Sequence, residues 1–148
     1  MQFLEKLKPV ALLFLRLGLA AIFIFHGYPK LFGHSGQWLD AFGHMGFPRY
    51  FAYVSGVLEF FGGLLLIVGL FTRIAGLLLA IEMAIAIWRV HLPQGTFLDV
   101  HNYEMPLALC VGSFALAAVG AGLISLDHLL YGVGRGSGIS RRAAREKR

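Results

Sequence analysis

Apolar positions gather into four long runs, Pro9–Phe25, Tyr50–Phe71, Ile74–Trp88 and Met105–Leu126, divided by short polar connections. With its flanks, each run reaches about 20 residues, enough to cross a hydrocarbon core of ~30 Å. The connections leave no room for a second domain. The pattern predicts an all-α integral membrane protein, a bundle of four transmembrane helices within residues 1–132, followed by a basic, disordered tail over 133–148. Lys6 and Lys8 precede the first run, as they would in a signal peptide. The run is longer than a signal h-region, however, and leads into "HGYPKLFG" rather than a small-residue cleavage site, so it is expected to be retained.

The connections predict finer features. Pro29 disturbs the end of the first helix and Gly33 can stop it. The stretch "HSGQWLDAFGHMGF" spaces Trp38, Leu39, Phe42 and Met45 like one face of a short helix lying along the outer interface, with Trp38 at headgroup depth. Helices two and three, joined through "GLFTR", must be antiparallel neighbours. The longer polar connection "HLPQGTFLDVHNY" is expected over the outer mouth of the bundle. Gly76, Ala80 and Ala84 on the third helix, and Ala118 and Gly122 on the fourth, recur every four residues and predict close helix contacts.

Composition strengthens the membrane reading. The chain is 57% hydrophobic and 14% charged, against about a quarter charged in soluble domains, and its mean hydropathy is +0.71. Lys6, Lys8, Arg73 and the tail cations Arg135, Arg141, Arg142, Arg145, Lys147 and Arg148 fall at one end of the predicted bundle. The other end has Arg49, with Lys30 and Arg89 at helix ends. This asymmetry predicts both termini in the cytoplasm. The tail, suited to anionic lipid, accounts for a pI of 9.7 without a nucleic-acid partner. Cys110, the single cysteine, cannot form an intrachain disulfide and reads as a small hydrophobe.

The exceptions to apolarity are the candidate chemistry. Arg16, Glu59 and Glu82 each stand alone within an apolar helix, and an ion facing lipid at such depth costs roughly 2.5 kcal/mol or more. They are expected to point inward together near the midplane, with Arg16 neutralising one acid and the other kept protonated by desolvation. Glu59 or Glu82 then becomes the candidate proton handler, against the simpler alternative of a polar clamp between helices. Nearer the outer face, His26 and Lys30 are one turn apart and predicted to share a face. Arg89 and His91 follow Glu82, and Asp99, His101 and Glu104 lead into the last helix. His26, Lys30 and Arg89 suit an anionic or quinone-like carbonyl. His91, Asp99, His101 and Glu104 have ligand types for a divalent metal without a recognised ligand motif. Plain interfacial polarity explains either set equally simply. There is no phosphate loop, CxxC, CxxCH or HExxH motif.

The segments "RLGLAAIFIFHGYPKLFG", "GVLEFFGGLLLIVGLFTR", "AIEMAIAIWRVHLPQGTF", "NYEMPLAL" and "GAGLISLD" stand in the order found in the DoxX family, which the chain resembles from the first helix to Asp127. The resemblance implies a four-helix membrane protein, in a family whose namesakes are linked to quinone-dependent oxidation and whose distant relatives resemble cargo receptors or assembly chaperones. The motif positions that match are Arg16, His26, Gly27, Lys30, Glu59, Gly62, Gly63, Glu82, His91, Gly95, Glu104 and Asp127. The leading expectation is a multi-pass protein of the bacterial inner membrane, an accessory subunit of a quinone-linked redox system. It would bind a quinone, and no covalent cofactor, through Arg16, His26, Lys30, Arg89, His91 and Glu104, with Glu59 and Glu82 handling the proton. Its partners would be lipid and either a membrane redox protein or further copies of itself. The alternative is a non-catalytic scaffold that assembles a partner protein.

Overall fold

The computed structural model describes residues 2–33, 35–95 and 99–132; the expected disordered tail, 133–148, lies outside them. Among the described residues the elements are helical: α1 (Gln2–Phe32), α2 (Ser35–His44), α3 (Phe51–Val68), α4 (Thr72–Ala86) and α5 (Glu104–Val119). A π-helical turn at Ile87–His91 prolongs α4. α1, α3 and α4 with its extension are long and apolar enough to cross a membrane, whereas α5 is apolar but shorter. α1 packs mainly on α3 and α4 on α5, and lesser α3–α4 and α1–α5 contacts close the ring. The shared core holds Leu19, Phe23, Leu66, Leu79 and Leu116.

The tightest seam is built on glycine. A Cβ on Gly27 would lie 2.6 Å from the backbone nitrogen of Phe60, and one on Gly63 would lie 2.7 Å from Ile24. Both positions therefore require the bare backbone, and α1 and α3 approach at van der Waals distance. The spacing rule for small residues holds in part on α4. A Cβ on Gly76 would meet the Ser113 carbonyl of α5 at 2.7 Å, while Ala84 is exposed. The half-buried Cys110 thiol donates to the Ala80 carbonyl at 3.3 Å across the same pair.

Of two expectations about helix ends, one holds, since α1 stops just before Gly33, and one is corrected. α1 runs through Pro29 to Phe32, losing one backbone bond at the proline but held by Lys30 and by Phe32 against Phe60. The fourth apolar run does not stay helical to Leu126. α5 stops at Val119, where Gly120 adopts φ 92°, and Gly122 has φ 79°. The chain then turns along the first half of α1, with Gly122 against Leu12. Asp127 fastens this segment to the α3–α4 turn: its N–H donates to Gly69 O at 2.9 Å. Its carboxylate accepts from the Phe71 and Thr72 N–H groups at 2.7 and 2.9 Å, capping α4. Both ends of the described chain thus lie at the α3–α4 turn end of the bundle, opposite α2.

Candidate functional site

Near the α2 end, α1, α2, α3 and α4 enclose a cavity of about 350 Å³. Lys30 of α1 reaches in and donates to Glu59 at 2.5 Å and to the Ser55 hydroxyl at 2.9 Å. Lys30 and Glu59 are both buried. Ser55 and Glu59 are one turn apart on α3, so a single face supplies both acceptors. Above the ammonium lie the rings of Trp38 and Phe42, at 5.5 and 5.8 Å from their centroids. The short α2 helix expected from the sequence thus exists, but Trp38 is half-buried over a cation as well as amphipathic.

Glu82 enters the cavity from α4. It lies within electrostatic reach of Glu59 and Lys30 and close to the Ser55 hydroxyl, yet no hydrogen bond to either buried oxygen is complete. A buried polar group left so costs about 1–3 kcal/mol, more for a charged one. A water or a ligand can supply the missing partner, and protonation would lower the cost by removing the charge. His91 also lines the cavity. Its Nδ1 lies 3.0 Å from the Ala86 carbonyl, which can only accept, so Nδ1 carries the proton and Nε2 is left available.

The sequence-derived site divides on folding. Lys30, Glu59, Glu82 and His91 come together. Arg16 does not join them. At about 1.5 Å per residue, it stands roughly 21 Å along α1 from Lys30. Its guanidinium instead donates to the carbonyls of Leu66, Ala121, Ile124 and Ile67, at 2.7, 2.8, 2.9 and 3.1 Å. These carbonyls are freed where α3 ends and where the chain leaves α5, and backbone polar groups in a membrane need internal partners. One cation does meet two acids, as the charge count anticipated, but that cation is Lys30.

His26 is exposed on the outside of α1, donating through Nδ1 to Ile22 O at 2.8 Å. Lys30, one turn later, is buried against α3, so the two do not share a site. Arg89 stays at the rim, stacked over Phe47 and Trp88 at 5.7 and 5.8 Å. The wider π-helical turn changes the facing of residues after Ala86, so His91, not Arg89, reaches the cavity. Glu104 pairs with His101 at 3.2 Å on the exposed surface. No group of three or more His, Cys, Asp or Glu is close enough to hold a metal among the described residues, so the outer metal set is not assembled. Sequence reasoning missed Ser55 and the Trp38–Phe42 cover. The i, i+4 relation of Ser55 to Glu59 was the available signal.

The DoxX family model matches residues 11–92, the stretch that contributes Lys30, Ser55, Glu59, Glu82 and His91. The chain belongs to the DoxX family. It is 34% identical to "Putative oxidoreductase CatD" of Bacillus subtilis, over 86% of this chain and 92% of that one. It is 30% identical to "Inner membrane protein YqjF" of Escherichia coli, over 86% and 97%. A third relative, "Inner membrane protein YphA" of Escherichia coli, is 31% identical over 81% and 90%. No solved structure matches the chain. Family and long apolar helices agree on a protein that resides in a lipid bilayer.

Proposed function

We propose that this DoxX protein is a multi-pass protein of the bacterial inner membrane that binds a quinone, or a similar small carbonyl compound, as an accessory to a redox system. The observation that carries the reading is Glu82. Its two buried oxygens lack partners in a cavity that also holds a paired lysine and an available imidazole nitrogen. Largely apolar walls with a few convergent polar groups are the usual make-up of a small-molecule site, and 350 Å³ is within the usual size range. A protonated Glu82 would donate to a ligand carbonyl, and its carboxylate would accept from the reduced hydroxyl. Lys30 would orient a second oxygen. The relative named as an oxidoreductase and those named as inner-membrane proteins support the same reading. Orientation follows the cation asymmetry: α5 acts as a fourth, short span, with both termini in the cytoplasm. A reporter after Arg148 should behave as cytoplasmic and one inserted at Gly36 as exported; the reverse would exchange the two faces.

The test is gentle purification followed by mass spectrometry and absorption spectroscopy. A carbonyl-bearing ligand should accompany the wild-type chain and be lost in Lys30→Met. The scaffold reading has one observation in its favour, the imidazole of His26 turned outward from a membrane span. A photo-crosslinker at position 26 that captures one defined protein, with cellular function unaffected by Lys30→Met, would favour that reading.

A further inference from the structure

The walls of the cavity differ in a way that specifies how a ligand arrives. On the inner side α3 and α4 are closed: a Cβ on Gly62 would lie 3.2 Å from Leu79, and Leu79 is fully buried. Toward α2 the two helices part, and the cavity lies in the gap. Val54 of α3 and Ile81 and Ile85 of α4 line it and are 52%, 48% and 43% exposed. Side chains that belong to both a cavity and the surface mark its mouth. Both helices there lie in stretches long and apolar enough to span a membrane, so the mouth faces hydrocarbon. The aqueous approach is covered by Trp38, Phe42, Met45 and Phe47, all half-buried.

We propose that the cavity is loaded sideways from the bilayer, through the gap between α3 and α4, and that its occupant is a lipid-dissolved amphiphile. Its polar head meets Lys30, Ser55 and Glu82 while its tail stays in the gap. The head assignment rests on the ligand-site reading above; the route and the lipophilic class go beyond it. About 350 Å³ accommodates a substituted ring, so a long chain must leave through the mouth, where the apolar rims of Val54, Ile81 and Ile85 need no desolvation on meeting it. A water-borne solute would have to shed its hydration beneath the aromatic cover.

The test uses the full chain in lipid nanodiscs with Trp88→Phe, which leaves Trp38 as the sole tryptophan. The first probe is phospholipid brominated along the acyl chain. Trp38 emission should be quenched at least twofold, and Val54→Phe/Ile85→Phe should abolish that quenching by filling the mouth. The second probe is a benzoquinone with a ten-carbon tail. Its association rate should fall at least tenfold in the filled-mouth variant and stay within twofold of the parent in Met45→Ala, which loosens the aqueous cover. If the double variant fails to fold, Ile81→Phe replaces it. Unchanged bromolipid quenching on filling the mouth, or quinone association accelerated by Met45→Ala and indifferent to the mouth, would overturn lateral loading. Mouth-dependent quenching by bromolipid without any quinone binding would uphold the route and refute the quinone reading.

Discussion

Replacing Arg16 by Met separates the clamp from the cavity most cleanly. Arg16 is 2% exposed, and methionine keeps an unbranched apolar stem while removing every donor. Two of the four hydrogen bonds, those to Leu66 and Ala121, are buried, and two are partly buried. Each buried carbonyl left unpaired costs about 1–3 kcal/mol. The partly buried pair recovers some solvation, and the variant no longer buries a guanidinium. The expected net loss is about 3 kcal/mol, or roughly 6–12 °C at the usual conversion for a chain of this size. Cys110, half-buried and the single thiol, provides the assay: a thiol-reactive dye reports melting in detergent without a label being introduced. Arg16→Lys should fall in between, since one ammonium cannot reach both helix ends. Glu82→Gln, an amide of the same size in the cavity, should shift melting by less than about 3 °C. Melting of Arg16→Met within 2 °C of the parent, or above that of Glu82→Gln, would refute the clamp.

Gly27→Ala should destabilise the protein by several °C, because its Cβ would lie 2.6 Å from the backbone of Phe60. Gly18→Ala, with nothing within 4 Å, should be neutral or slightly stabilising in the same melt. Asp127→Asn should cost about 1–2 kcal/mol by weakening the charged cap on α4, visible as faster hydrogen exchange at Phe71 and Thr72. Arg89→Met should leave ligand retention within twofold of the parent, because its guanidinium lies on rings at the rim; a larger loss would bring Arg89 into the site.

The long apolar helices and the inward acids Glu59 and Glu82 could be read from sequence because lipid makes outward charge expensive. The pairing of those acids could not. Depth counted along isolated helices placed Arg16 too near the acids, and only the breaks after α3 and α5 reveal which backbone carbonyls need a cation. The close glycines at 120 and 122 were the available sign that the fourth run would break. No comparable sign announces the π-helical turn that takes Arg89 out of the cavity and puts His91 into it. The α1–α3 seam was partly legible, since Gly56 and Gly63 recur at a seven-residue interval, as do Ala20 and Gly27.

The central claim is that Lys30, Glu59 and Glu82 form a ligand site while Arg16 serves the fold. It is tested most directly by mass spectrometry of small molecules retained by the wild-type chain, Lys30→Met and Glu82→Gln after purification from the same membranes. One carbonyl-bearing lipid should be present near stoichiometrically in the wild type and reduced at least tenfold in Lys30→Met and Glu82→Gln, with all three chains folded by the Cys110 melt. Absence of such a molecule from the wild type, or equal retention in all three, would contradict the account.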